Sequence, residues 1–226
     1  MKINIDYLDN SIYLENSKIM VLEIENKRLL FRLIKNFTDI DNGDFIDEIK
    51  VFGNDNKEIN ISNKILVLSD FFNFNLDTKK YLNQINKIII DNIKDSDDNT
   101  LLSLYQKLLY KYNKVIKETD LPVVINNEVN VESLVKIIKL KLNLSDNLLD
   151  NLLSLIDLEK IAKANKFLIF VNLKLYLTEK ELEELYKYAI YNEVKLMLID
   201  SKSYGCKTNF ENKLIIDNNL VEFMLK

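Results

Sequence analysis

The stretch VLEIENKRLLFRLI, Val21–Ile34, sets the fold. It begins as a buried strand and continues as an amphipathic helix, and the turn between them is Glu25, Asn26 and Lys27, with no glycine. In an α/β protein that holds a nucleotide, the first strand-to-helix turn is where a glycine-rich loop wraps phosphate, its backbone N–H groups and the helix N-terminus facing the anion. A Walker A loop reads G-x-x-x-x-G-K-[ST], and the three glycines of this chain, Gly43, Gly53 and Gly205, stand in no such context. Glu25 adds negative charge where phosphate would sit. The chain has the frame of an ATPase without the part that holds ATP.

Working outward, short strand-like runs at KINIDYL, SIYLE and KIMVLEI precede this helix, and FIDEIKVFGNDNKEINI alternates around Gly53 and Asn54 like a hairpin. KILVLSD then reads as a buried strand ending at Asp70. From Asp77 to about Asn165 the period is helical, through DTKKYLNQINKIIIDNI, NTLLSLYQKLLYKYNKVIKE, NVESLVKIIKLKL and SDNLLDNLLSLIDLEKIAKAN, with Pro122 breaking the run. Strand character returns at KFLIFVNL, followed by TEKELEELYKYAIYN, whose Thr178 and Glu181 form a T-x-x-E capping box, and by VKLMLID. These three segments predict a parallel β-α-β unit. NKLIIDNNLVEFML predicts two further short strands around Asp217–Asn219. The expected fold is therefore α/β: a sheet domain over residues 1–76 and 166–226, with an α-helical insertion over 77–165.

Composition limits the chemistry. The 226 residues suffice for a large core, and 47% apolar content excludes a disordered chain. No apolar run approaches the length of a membrane span, and MKINIDYLDN lacks the basic-then-apolar order of a secretion signal, so a soluble cytoplasmic protein is expected. The single cysteine, Cys206, excludes a disulfide within one chain. Histidine is absent, which removes histidine-relayed nucleophiles, histidine bases and most catalytic zinc sites. Enzyme readings start from a weak position. One alternative stays open: LVLSD resembles a Walker B strand ending in a metal-binding aspartate, Asp70, although an aspartate there also serves as a turn residue. DSDDNTLLSLYQ places Asp95, Asp97 and Asn99 like an EF-hand, but Thr100 and Gln106 take the glycine and glutamate positions, so helix capping is the better reading.

The insertion carries the strongest charge signal. Between Thr100 and Leu142 seven lysines face four acids, a local net of +3 in a chain of net −4, which leaves −7 elsewhere. Lys107, Lys111 and Lys114 stand at i, i+4 and i+7 on one helical stripe, and Lys136 and Lys139 share a face of the next helix. The only arginines, Arg28 and Arg32, also stand four apart, with Lys35 continuing their row. Such rows suit a phosphate backbone and supply charge without base-reading geometry; they are also what ordinary solvated helix faces look like. Tyr105, Tyr110 and Tyr112 lie among the lysines, and their spacing favours packing over base stacking.

VLEIENKRLLFRLI, ILVLSDFFNFNLDTKKYLNQI, FLIFVNLKLYLTEKELEELYKYA and IIDNNLVEF, taken in order along nearly the whole chain, resemble the small CRISPR-associated protein family of type II-A systems that takes part in spacer acquisition, the second member of the Csn series. The resemblance implies a head similar to a P-loop ATPase core but lacking its nucleotide site, with an inserted helical leg. It further implies a homotetrameric ring whose lysine-lined hole takes linear double-stranded DNA through its ends without sequence preference. The partners implied are the adaptation integrase and the type II effector nuclease, to which catalysis would belong. By the same resemblance Lys107, Lys111, Lys114, Lys136 and Lys139 would face the DNA, with Arg28 and Arg32 as second candidates. Calcium would sit near the leg–head junction, in KETDLPVVINNEVNVE, where Glu118, Asp120, Glu128 and Glu132 are the available carboxylates. A protein-interaction scaffold without direct DNA binding remains the other non-enzymatic alternative.

Overall fold

A computed structural model describes residues 1–62, 64–72, 78–96, 100–119, 123, 131, 135, 138–162, 167–202 and 208–225. The chain forms two units, Met1–Phe74 with Leu144–Lys226, and Asn75–Asn143.

The first unit holds two sheets. A six-stranded sheet runs in the order β5 (Ile65–Leu68), β6 (Phe167–Val171), β7 (Leu196–Asp200), β3 (Ile19–Ile24), β8 (Glu211–Ile216), β9 (Glu222–Leu225). All its neighbours are parallel except the antiparallel pair β8–β9. A three-stranded antiparallel sheet places β1 (Lys2–Ile5) between β2 (Ile12–Tyr13) and β4 (Ile49–Phe52). The mixed α/β class with a mainly parallel sheet is as the sequence predicts. The expected hairpin at Gly53 keeps only its first arm as a strand: beyond the turn a single Phe52–Glu58 bridge forms, and β4 finds its partner in β1.

Period explains the layers. Along β3 the residues Met20, Leu22 and Ile24 join one core with Leu33 and Phe37 of α1 (Lys27–Asp41), Ile199 of β7 and Ile216 of β8, and the small sheet adds Ile3, Ile12 and Val51. Each of these buried apolar side chains contributes roughly 1.5–3 kcal/mol over leaving it in water. The alternate residues of the same strands face the other side, where α5 (Glu179–Tyr191) lies against β8 through Tyr186. Both signals of the capping box predicted for α5 are present: Thr178 Oγ1 accepts from the Glu181 N–H, and the Thr178 N–H donates to Glu181 Oε2 at 2.8 Å.

The helix α4 (Leu148–Ala162) corrects the expected domain boundary. Its sequence continues the helical period of the insertion, yet it belongs to the sheet unit, which resumes at Leu144 and not at 166. Leu149, Leu152, Leu155 and Ile156 are buried, and α4 is tied to α5 and the residues after it by the Tyr188 hydroxyl on Asp157 Oδ1 at 2.7 Å and Lys160 Nζ on Asn192 Oδ1 at 2.9 Å. The second unit contains α2 (Thr78–Asp95) and α3 (Thr100–Glu118). Pro122, Cys206 and six of the thirteen residues of NVESLVKIIKLKL lie outside the described residues.

Candidate nucleic-acid interface

On α3 no described residue is buried. Lys107, Lys111 and Lys114 are all exposed, so the predicted stripe exists as a solvent-facing row. Among the described residues Lys114 alone of the three has an acidic neighbour, Glu118 Oε1 at 3.8 Å, one turn on; with both side chains largely in water such a pair is weak. Tyr110 and Tyr112 are 74% and 65% exposed and Tyr105 is half-buried, so packing within this chain does not account for the first two. Lys139 is exposed but lies in irregular backbone, not on the helix expected there, since residues 138–142 take no helical form; Lys136 lies outside the described residues.

On α1 the exposed row is Lys27, Arg28, Phe31, Arg32 and Lys35. Arg32 is not a free member of it. Its guanidinium forms a two-pronged bond to Glu48, with Nε to Oε2 at 3.1 Å, and lies 4.3 Å from the centre of the Tyr7 ring. The Asn36 amide also donates to Glu48 at 2.9 Å. These hydrogen bonds, first that of Arg32 and then that of Asn36, hold the Glu48 carboxyl below its ordinary value, and burial pushes the Tyr7 phenol up to about 12. Sequence spacing placed Arg32 in a cationic row; the structure spends its charge on a carboxylate sixteen residues away.

The N-terminus of α1 is closed from within. Asn26 Oδ1 accepts from the Arg28 and Leu29 N–H groups, both at 3.1 Å, and Asn26 Nδ2 donates to the Asn218 carbonyl at 3.0 Å. Asn218 in turn donates to Glu25 Oε2 at 3.3 Å. Two of the N–H groups that would meet a phosphate are thus taken by an uncharged side chain, with a carboxylate beside them. Asp70 does not complement this turn. It is exposed, accepts from the Phe72 N–H at 3.0 Å as a turn residue, and follows the edge strand β5, separated from β3 by β6 and β7.

Beneath the strand that precedes this turn lies a charge cluster that the sequence reading missed. Glu23 on β3, Asp200 on β7, Glu211 and Lys213 on β8 are each no more than 1% exposed. Lys174, in the 3-10 turn Leu173–Leu175, reaches into the same place. Lys213 Nζ lies 2.7 Å from Glu23 Oε1, Lys174 Nζ lies 2.9 Å from Glu211 Oε1 and 3.5 Å from Glu23 Oε1, and the Tyr186 hydroxyl donates to Glu211 Oε1 at 2.9 Å. Three carboxylates face two ammonium groups. Asp200 is the surplus acid: it forms no direct ion pair among the described residues, and burial, opposed by the charge and the backbone N–H of Lys174 and assisted by Glu23 and Glu211, raises it to about 7. The signal available in the sequence was a charged residue within an otherwise apolar strand, in IMVLEI and in ENKLII.

Of the four carboxylates expected to hold calcium, Asp120, Glu128 and Glu132 lie outside the described residues, and Glu118 is paired with Lys114. Asp97 and Asn99 lie outside them too. Among the described residues no group of three or more acidic or cysteine side chains is placed to hold a metal ion, and no helix is long and apolar enough to cross a membrane.

Comparison with known proteins gives three findings. Among solved structures, the nucleotide-free ATP-binding cassette of an ABC transporter is 14% identical with a TM-score of 0.42, covering 100% of this chain and 92% of that one. The CRISPR-associated protein Csn2 of Enterococcus faecalis is 21% identical over 210 residues, covering 89% of this chain and 90% of that protein. The family model of the CRISPR-associated protein Cas_Csn2 matches residues 43–220, well over half of the sequence. The chain therefore belongs to the Cas_Csn2 family of CRISPR-associated proteins.

Proposed function

We propose that this protein is a non-catalytic clamp on linear double-stranded DNA, acting without sequence preference during CRISPR spacer acquisition as a homotetrameric ring. The observation that carries the proposal is the row Lys107, Lys111 and Lys114 on a helix with no buried residue, within a segment of local net charge +3. A chain of net charge −4 is repelled by DNA as a whole. Symmetric assembly overcomes this by turning several copies of one basic row toward a common lumen, where local field outweighs net charge. Lys27, Arg28 and Lys35 are the cations of α1 that remain available, since Arg32 is held by Glu48.

The helix terminus capped by Asn26 supports the non-catalytic reading over the P-loop ATPase alternative, because a phosphate arriving there would compete with the Asn26 side chain and meet Glu25. Bond-making belongs, on this reading, to an adaptation integrase and the type II effector nuclease as partners. Calcium bound by Glu118, Asp120, Glu128 and Glu132 is part of the same proposal.

The test compares linear with closed circular duplex in a mobility-shift assay at several salt concentrations, alongside particle mass by light scattering. A tetramer that binds linear duplex, releases it steeply with salt and fails to load on closed circles supports the clamp. An assembled particle that ignores duplex at every salt concentration favours a scaffold, and nucleotide turnover lost in Asp70→Asn favours an ATPase; either result ends the proposal.

A further inference from the structure

The segment from Asp39 to Ser62 carries seven acids against two lysines, a net of −5 in a chain of net −4. Part of this charge is engaged within the chain: Asp41 Oδ2 accepts from the Val67 N–H at 2.9 Å, Glu48 holds Arg32, and Asp55 lies beside Lys57. Asp44 and Glu58 are exposed, and neither carboxylate has a hydrogen bond or ion pair among the described residues.

These two acids line a groove of about 220 Å³. The groove reaches the main core at Ile40, Ile49 and Ile61, all buried, and continues over the half-buried Ile46 and Ile59. Phe45, on the same lining, is 76% exposed. Both walls are held by bonds of their own. After α1 the chain turns at Gly43, whose φ of +104° suits glycine, and Ser62 Oγ donates to the Gly43 carbonyl at 3.2 Å. On the other wall the Ile59 N–H donates to the Val51 carbonyl of β4 at 2.7 Å, and the Ser62 N–H to Asn60 Oδ1 at 2.9 Å. The groove is thus formed before anything enters it, and it is smaller than the ~300–1,000 Å³ of small-molecule sites, a size for side chains and not for a cofactor.

We infer that this groove docks a basic segment of a partner protein, an arginine or lysine next to an aliphatic residue. The aliphatic neighbour and the methylene stem lie on the isoleucines, while the cationic head meets Asp44 and Glu58 beside the face of Phe45. Charge selects this occupant. An acidic rim repels a phosphate backbone, and an uncharged apolar segment would strip water from two carboxylates and give them no partner. The inference is therefore independent of duplex binding.

The experiment selects binders from a random heptapeptide library displayed on phage, using the full chain. The native chain is expected to enrich peptides in which arginine or lysine adjoins leucine, isoleucine or valine. A synthetic copy of the leading peptide is expected to bind about tenfold more weakly to Asp44→Asn/Glu58→Gln and to Phe45→Ser, each with native circular dichroism. Glu183→Gln/Glu184→Gln, which removes the same charge from α5, is expected to leave its affinity unchanged. No enrichment, enrichment without a basic residue, native affinity in the groove variants, or equal weakening by the α5 variant overturns the inference. Displacement of the peptide by an equal concentration of spermidine assigns the groove to a free polyamine and also overturns it. Should the groove variants not fold, a benzophenone-bearing copy of the peptide decides on the native chain: attachment is expected within residues 40–62, and attachment elsewhere overturns the inference.

Discussion

Removing the surplus buried acid should stabilise the protein at high pH and not at low pH. The perturbation is Asp200→Asn, which keeps shape and removes the charge. In the folded chain Asp200 faces Glu23, Glu211, Lys213, Lys174 and Tyr186, and its carboxyl is raised from 3.8 to about 7, chiefly by burial. The unfolded chain releases this proton near pH 4 and the folded chain near pH 7, so between the two the folded state binds more protons and native stability falls as pH rises. Above pH 7 the loss is complete. At ~1.36 kcal/mol per pH unit, a shift of about 3 units costs about 4 kcal/mol, an upper value because relaxation around the charge offsets part of it. Any misfit of the asparagine amide carries a cost of ~1–3 kcal/mol that is the same at every pH. The informative quantity is therefore the difference in unfolding free energy, variant minus native, followed by urea denaturation from pH 5 to pH 8.5. It should climb by a few kcal/mol across that range and level off above pH 7.5, which at ~2–4 °C per kcal/mol for a chain of this size also moves the melting temperature by roughly 10 °C. A difference equal at pH 5 and pH 8.5 would refute the reasoning, for it would mean that Lys174 already balances an ordinary carboxylate.

Three further outcomes are expected. Lys213→Met alone strands Glu23 beside Lys174 only and should cost about 3–5 kcal/mol in denaturant unfolding, whereas Glu23→Met/Lys213→Met, which removes an opposite pair together, should recover most of it. Lys111→Ala should lower the slope of log affinity against log salt by about 0.9 per chain for duplex binding, and an unchanged slope removes Lys111 from the interface. Millimolar calcium should raise the melting temperature and chelator lower it; a midpoint indifferent to both rules out a structural ion.

Much of the chain was legible before any fold was known, because its elements are specified by neighbours in sequence. The alternation of KINI and IMVLEI, the helical period after Asn26, the Thr178 capping box and the turn at Asp217 all depend on spacings of two to four residues, and each stands where its pattern put it. The absence of a phosphate loop was equally local, although that Asn26 itself fills the helix end was not read from it.

What the sequence by itself determined is most of the strands and helices and the row of lysines on α3, since a period decides which residues share a face; the second arm of the Gly53 hairpin and a helix through residues 138–142 do not form. Tertiary structure alone decided that α4 packs with the sheet unit, that β5 and not β3 lies at an edge, that Arg32 belongs to Glu48, and that Glu23, Asp200, Glu211, Lys174 and Lys213 meet. The physical reason is the same in each case. An ion pair or a strand neighbour is chosen by distance in space, and Glu23 and Lys213 lie 2.7 Å apart only because β3 and β8, far separated along the chain, are adjacent in the sheet.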